Sequence, residues 1–463
     1  MPDIKYEKNR KLKRSEIIKR ITSFIIIFNL VIFFLGCAAH SPHDQKFVFA
    51  SIEDREGVGL RPHQMTDSLA IMDYFKLDEG LTEEKAVAIA LWQNPRFQAD
   101  LLDLGFSKAD LIEAGMLKNP TFSLLFPIGP KQLEFALNLP VEFLWQRPHR
   151  VAMAQKNAER IAESLVINGL GLIRDVKIAF SDYQLARQKM EIALDEEVLQ
   201  NEIVRIASAK LRAGEISELE ETAFRLLGAK IKEKAILFSR DAQNARIRLM
   251  ALIGMPSERI KIEESTARMD TMQVDSPEVL IKRALAARPD LRAAEIAIEA
   301  AGEKLGWEKS KILNLTGVLD ANSQGKEGFE MGPGLGVEIP LFNWNNAGRT
   351  RAEVEMKQAA SHYSALSQKI VSDVLQVYND YQSAREVFKL YQEVIVPKAV
   401  SASQNAENVY RLGESSYIEF LEFKRQMLIA RLAEAEAREE IRRLLANLQF
   451  CVGSNDISNE DSK

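Results

Sequence analysis

Apolar positions along the chain follow two different periods, and the order in which the periods alternate occurs twice. From Leu81 the spacing is helical. Thr82 can cap, Glu83 and Glu84 fill a first turn where the helix dipole favours acids, and Leu101, Leu104, Leu111 and Ile112 continue the pattern to about Gly115. Pro95 bends this helix or restarts it at a first helical position. Asn119-Pro120 then opens an extended stretch, Thr121 to Phe126, and Pro127 to Pro130 reads as a turn. Leu133, Phe135, Leu137 and Leu139 alternate with other residues, the period of a strand with one apolar face. A β-hairpin ending at Leu139-Pro140 is expected. From Pro148 to Gly214 the chain reads as one helix of about 65 residues, roughly 100 Å long. Gly169 and Gly171 are weak points in it, at about 1 kcal/mol each relative to alanine. After the turn at Ala213-Gly214 a second helix runs from about Ser217 to Ile253, and Gly254-Met255-Pro256 stops it.

The second half repeats this scheme. Val176 to Arg187 contains Asp182-Tyr183-Gln184, and Val374 to Arg385 contains Asp380-Tyr381-Gln382, 198 positions on. Ala90 to Pro95 matches Ala284 to Pro289, and Leu139-Pro140 matches Ile339-Pro340. Leu313, Leu315, Gly317 and Leu319 alternate, Gly325 to Gly334 reads as a glycine-rich turn, and Leu335, Val337 and Ile339 alternate again. Asn346 to Leu412 is a second very long helix with Pro397 inside it, where a kink is expected. A return helix runs to Phe450. The near-constant offset identifies an internal duplication. The boundaries are residues 79–272 for the first repeat and 273–451 for the second, with a tail at 452–463.

The fold class that follows is mainly α with a small β part. Each repeat holds one helix of about 65 residues and two of about 35, so two short helices laid end to end match one long one. Two hairpins supply four strands, which leave open edges and cannot cross a membrane alone. Three copies would supply twelve strands, an even-numbered antiparallel barrel whose alternating apolar positions face lipid. A small soluble sheet is the competing reading. The recurring Asp-Tyr-Gln is expected to pack and hydrogen-bond between helices.

The N-terminus changes the picture of where this happens. Eight basic residues between Lys5 and Arg20 precede an apolar run from Ile21 to Leu35, short for a membrane span and flanked like an export signal. Residues 1–36 are read as a signal peptide. Phe34-Leu35-Gly36-Cys37 resembles a bacterial lipobox, which would make Cys37 the lipidated first residue of the mature chain. Ala38 at the next position favours the outer membrane in the sorting rule that this resemblance implies. Residues 37–78 lack periodicity and read as a tether. Weak metal capture by His40 and His43 is the other reading of that stretch. The whole chain carries a formal net charge of −5, and loss of the leader moves the remainder to about −10. A nucleic-acid partner is not indicated. Cys451, the second of two cysteines, reads as a small apolar side chain. No HExxH, GxSxG, P-loop or Cys-x-x-Cys is present, and no catalytic residue, metal site or cofactor is expected.

The signal, the duplicated halves and the Gly-Glu turns together resemble the TolC family of outer-membrane efflux ducts over about residues 80–451. The lipobox, Gly115 to Pro120 and the short first hairpin look more like its heavy-metal, CzcC-like branch. The resemblance implies a homotrimer with an α-barrel tunnel in the periplasm and a 12-stranded β-barrel in outer-membrane lipid. It also implies docking to a periplasmic adaptor, or membrane fusion protein, and to an inner-membrane transporter. The adaptor-docking tip carried over to this chain comprises Leu211, Arg212, Gly214 and Glu215 in the first turn, with Arg411, Gly413 and Glu414 in the second. Tyr410 and Glu218 are the entrance-gate candidates. Ser415 stands where the family's better-known member has a gating arginine, a departure that puts the same gate in question. Gly214 and Gly413 suit the left-handed position at a helix end whether or not a partner docks there. The function expected is passive export of metal ions or small toxic compounds. A periplasmic adaptor and a structural coiled-coil lipoprotein are the alternatives.

Overall fold

The computed structural model describes residues 41–57, 75–126, 133–256, 260–263, 274–325 and 328–458. Cys37 and the expected leader lie outside them. The described chain holds helices α1 (Gln45–Glu56), α2 (Glu83–Gln93), α3 (Pro95–Leu101) and α4 (Asp103–Gly115), then strands β1 (Thr121–Leu125) and β2 (Glu134–Pro140). Helices α5 (Phe143–Ala213), α6 (Glu218–Leu252), α7 (Pro277–Ala287) and α8 (Pro289–Ser310) lead to β3 (Asn314–Gly325) and β4 (Gly328–Glu338). Helices α9 (Asn346–Leu390), α10 (Val396–Arg411) and α11 (Tyr417–Val452) follow. The helix–hairpin–long helix–return helix order recurs as expected. The division into compact units cuts across the two repeats. One compact unit takes residues 107–155 and 303–349, and the other takes 43–106, 156–302 and the chain from 350 onward.

The first unit holds one antiparallel sheet in the order β1-β2-β3-β4. Its register aligns rows across all four strands. Phe122, Leu137, Leu319 and Pro333 form one row, and Ser123, Ala136, Asp320 and Gly332 form the next. Side chains alternate between faces along a strand. One face therefore carries Phe122, Leu124, Phe135, Leu137, Leu139, Leu315, Leu319, Met331, Leu335 and Val337. The other carries Thr121, Ser123, Glu134, Asn138, Asn314, Thr316, Asp320 and Glu338, with Leu125 and Val318 as apolar members. The expected glycine-rich turn from Gly325 to Gly334 is corrected. β3 runs to Gly325 and β4 starts at Gly328, so Gly332, Gly334 and Gly336 are strand residues on the polar face. Their φ angles are not among the positive ones, which is why they extend a strand and do not turn it.

The second unit is built on two core clusters that mirror the duplication. The first gathers Val48, Phe49 and Ile52 of α1 with Ala86 to Leu91 of α2, Leu165 to Phe180 of α5 and Leu249 to Ile253. The second gathers Leu280 and Leu291 with Ile370, Val374 and Tyr381 of α9 and Leu444 to Val452 of α11. The two copies bury different aromatics of the shared motif. Phe180 is fully buried in the first and Tyr381 in the second. Asp182 bonds Arg443 of α11 at 2.6 Å, the inter-helix role expected of it, while Asp380 is exposed.

Helix boundaries follow from local chemistry. The Thr82 hydroxyl accepts from the Lys85 amide, and Pro95 restarts the chain at the first position of α3 behind an Asn94 cap. The second long helix is interrupted as Pro397 requires. Tyr391–Ile395 forms a π turn in which the Val396 amide reaches back to Tyr391. Cys451 is buried, and burial pushes its thiol up from the usual range.

One part of the expected tether is a helix. Asp44 caps α1, and Arg55 carries it onto the second repeat, donating to the Ala287 carbonyl at 2.5 Å while its own carbonyl accepts from the Asn455 amide at 2.9 Å. Glu56, almost fully buried, pairs with Lys177 of α5 at 2.9 Å, and Lys177 also donates to Gln449 of α11. Gly169 has its reason here, because a Cβ at that position would collide with Ile52.

Close by, Glu83 opens α2 half-buried. Burial holds its carboxyl above the usual range, against the lowering pull of Lys177 and Arg442, with Glu439 and Glu84 adding to the rise. The folded chain thus holds this proton more tightly than the unfolded chain. Its penalty is absent at low pH and grows as pH rises from the unfolded carboxylate value through the folded one. Glu83→Gln is expected to raise the melting temperature at pH 7.5 by about 1–2 °C and to leave it unchanged near pH 4. Circular dichroism melts in detergent at both values check this.

Candidate functional site

Two features stand out as candidate sites. They are the paired turns that end the long helices and the two-faced sheet. The first turn closes α5. The Glu215 amide donates to the Lys210 carbonyl at 2.9 Å, and the Gly214 amide donates to Leu211 at 3.0 Å. The second closes α10 in the same way, with Glu414 to Val409 at 3.0 Å and Gly413 to Tyr410 at 2.9 Å. This nested pair is the Schellman arrangement, and it needs a left-handed residue. Gly214 and Gly413 supply it at φ 75° and 77°.

Each turn then opens the return helix two residues later. Ser217 accepts from the Glu220 amide and Glu220 reaches back to Ser217, a capping box. Ser416 accepts from the Glu419 amide in the same place. Gly-Glu-x-Ser-x-x-Glu is thus written twice, 199 positions apart, and its serine and second glutamate are a signal that the glycine-centred reading passed over. Ser217→Ala and Ser416→Ala are each expected to cost about 1 kcal/mol at the helix end. Faster amide hydrogen exchange in the first turns of α6 and α11 would report it.

The expected tip residues take distinct places. Gly214, Glu215, Arg212, Gly413 and Glu414 are exposed, and Leu211 is half-buried. Glu215 sits 3.6 Å from Lys210, and Arg411 bonds Glu407 at 2.5 Å. Of the gate candidates, Glu218 is exposed at the first position of α6 and makes no ion pair among the described residues. The Tyr410 ring lies 4.8 Å from Tyr417 and stacks parallel to Phe420 at 6.1 Å. Phe420 and Leu421 of α11 cluster with Ile203 of α5, Phe224 of α6 and Ala406 of α10. All four helices therefore meet beneath the two turns, which places both turns at one end. Leu219 and Leu412 stand beside them 81% and 74% exposed, apolar surface at the turns themselves. The Ser415 hydroxyl is buried with no hydrogen-bond partner among the described residues. No group of three or more histidine, cysteine or acidic side chains is arranged to hold a metal among the described residues.

The sheet is the second feature. Its apolar face is open, with Phe122 61% and Leu335 65% exposed. No helix of the described residues is long and apolar enough to cross a membrane. A solvated antiparallel sheet normally presents its polar face to water and covers the apolar one. Among the described residues the apolar face has no cover, and it suits lipid.

Comparison with known proteins decides between these readings. The family model described as outer membrane efflux protein matches residues 280–454. Over that stretch, which covers most of the second repeat, the chain is similar to outer membrane efflux proteins. Among relatives of this family, the cobalt-zinc-cadmium resistance protein CzcC of Cupriavidus metallidurans is 23% identical over 358 residues, 76% of this chain and 85% of that one. The cation efflux system protein CusC of Escherichia coli K12 is 25% identical over 293 residues, 60% and 62% of the two chains. The fold is shared with solved efflux channels. The crystal structure of CusC matches at TM-score 0.65 and 18% identity over 80% of this chain and 92% of its own. The outer-membrane channel OprN matches at TM-score 0.67 and 18% identity over 85% and 94%. The chain shares the fold of these solved outer-membrane channels over four-fifths or more of its length. Its long-helix hairpins and four strands are those expected from the two hydrophobic periods, and the α-barrel and β-barrel architecture is the one that the family resemblance implied.

Proposed function

We propose that three copies of the chain form a passive duct that carries cargo from the periplasm through the outer membrane. The observation that carries this reading is the sheet, four strands with one apolar face and two unpaired edges. Four strands cannot satisfy their own backbone in lipid, and three copies close the twelve that a barrel needs. Cys37, lipidated, anchors each copy in the same membrane. The turns around Gly214 and Gly413 form the periplasmic tip. There Leu211, Arg212, Glu215, Arg411 and Glu414 meet a periplasmic adaptor, which couples the duct to an inner-membrane transporter. Tyr410 and Glu218 sit at the tunnel entrance.

The cargo is metal cations or small toxic compounds. The resistance and cation-efflux descriptions of the CzcC and CusC relatives support the metal class. A duct without a binding constellation leaves selection to the transporter. An adaptor or a structural coiled coil would have no use for a sheet with an uncovered apolar face. Planar-bilayer recording of the purified protein tests the duct. Stepwise single-channel conductance is expected, and protein that inserts but never conducts, even after the tip is opened by proteolysis, would overturn it.

A further inference from the structure

A cleft in the second unit carries charges that neither the turns nor the sheet uses. It opens between α5 and α11 beside residues 260–263, and its volume is about 350 Å³. Cavities of that size hold small solutes. Every residue that lines it has a polar side chain, so it suits a polar solute and not an oily one.

The charges in the cleft are matched unevenly. Three arginines and three glutamates line it, so it is neutral as a whole. Arg187 bonds Glu191 at 2.9 Å. Glu439 is 4% exposed, and its carboxylate accepts from the Ser181 hydroxyl at 2.7 Å and from Arg442 at 3.0 Å. Arg442 also donates to Gln184 at 3.2 Å. Arg438 comes no nearer than 3.7 Å to that same carboxylate, and the Gln188 amide oxygen steers it at 3.1 Å. Two guanidinium groups thus share one carboxylate, and a surplus positive charge stands at Arg438.

The surplus negative charge stands at Glu263. Its carboxylate makes no ion pair among the described residues. The residue itself is firmly placed. The Glu263 amide donates to the Leu81 carbonyl at 3.0 Å, and the Glu263 carbonyl accepts from Gln184 Nε2 at 3.1 Å. Gly80 makes room for the side chain, because a Cβ at that position would collide with Glu263 Cγ and Oε1.

We propose that this cleft binds a small zwitterion with a primary ammonium and a carboxylate, the two groups that an amino acid or a short peptide carries at its ends. Arg438 takes the carboxylate on its planar fork, and Glu263 takes the ammonium. A neutral cleft has no net attraction for a simple anion or cation, whereas a ligand with both charges satisfies both surplus groups at once. Tyr183 is the one ring in the lining and packs against the first core cluster, so no aromatic cage favours a quaternary ammonium. The carboxylates are not arranged to hold a metal among the described residues, so this ligand is not the metal cargo. Bound there, it braces α11 of the second repeat against α5 of the first. The proposal stands apart from the duct reading, since it needs only the second unit.

Equilibrium dialysis of isotope-labelled glycylglycine against the full-length protein in a maltoside detergent tests it. Saturable binding at one site per chain is expected. N-acetyl-glycylglycine lacks the ammonium and glycylglycine amide lacks the carboxylate. Each is expected to compete about ten-fold less well or worse, the loss of one charged contact. Arg438→Gln and Glu263→Gln are each expected to weaken glycylglycine by a similar factor. The amide should then compete as well as glycylglycine on Arg438→Gln, and the acetylated form as well as glycylglycine on Glu263→Gln, because the group that told them apart is gone. Both side chains are partly exposed, and an unchanged melting temperature without ligand would show that the loss is local. The blocked ligands make the same test on the parent protein if a variant fails to fold. No saturable binding at millimolar glycylglycine would overturn the proposal. Equal competition by the blocked forms on the parent would overturn it too, and would leave the cleft a water-filled groove.

Discussion

Gly413→Val is expected to abolish export while leaving the protein folded and inserted in the outer membrane at its normal level. The reason is local. Gly413 sits at φ 77°, where a β-branched residue pays about 1–2 kcal/mol or more in backbone strain. The strain falls on the two hydrogen bonds that close α10, from Gly413 to Tyr410 and from Glu414 to Val409, worth about 1 kcal/mol each. Nothing lies within 4 Å of a Cβ built there, so the effect is one of backbone conformation and not of crowding. Gly413→Asn, which tolerates the left-handed region, is therefore expected to retain most export although it also adds a side chain. Gly214→Val should behave like Gly413→Val, since its turn has the same two bonds and the same open space. Neither glycine belongs to the two large core clusters, so the melting temperature should stay within about 2 °C of the parent. Resistance of a duct-deleted strain carrying each variant, read beside its outer-membrane abundance, checks this. If the valine variants vanish from the membrane, the turns hold up the fold and are not a docking tip.

The second large effect falls on the opposite property. Tyr381→Ala is expected to destabilise the protein by about 3–5 kcal/mol, and Phe180→Ala by a similar amount. Each ring is about 1% exposed and sits at the centre of one of the mirrored clusters. Truncation leaves a cavity between helices whose spacing is fixed by many other contacts, so little collapse can relieve it. The companion residues of the repeat, Tyr183 and Tyr378, are only partly buried, and their alanine variants should cost clearly less. Urea or thermal unfolding of the detergent-solubilised protein measures all four. Equal losses at Tyr183 and Tyr381, the equivalent positions of the two copies, would show that the two halves bury the motif alike, contrary to the structure.

This contrast marks what the sequence could and could not convey. Helix and strand were legible because a 3.6-residue period and a 2-residue period bury different sets of positions, and Leu133 to Leu139 can satisfy only one of them. The duplication was legible in Asp-Tyr-Gln, but which aromatic each copy buries depends on helix packing that no period encodes. Helix α1 was hidden because 12 residues with Val48, Phe49 and Ile52 form no stable helix alone. Its stability comes from α2 and α5, far along the chain. Gly169 carried the hint, since a costly glycine inside a long helix turned out to make room for Ile52. The length of β4 was hidden by Gly332, Gly334 and Gly336, because glycine contributes no hydrophobic sign to an alternating pattern. Of the tip, the two glycines were legible from conformation alone. The serine–glutamate caps were equally visible as a spacing, and the aromatic cluster of Tyr410, Tyr417 and Phe420 needed the turn to bring helices α10 and α11 together.

The claim on which the rest depends is that the sheet is completed by copies of itself. Native mass spectrometry of the protein extracted from outer membranes in mild detergent tests it most directly. The account predicts particles of three chains, stable on dilution and lost only when the sheet unfolds. A folded particle of one chain, with its strands intact and no larger species at any concentration, would contradict it.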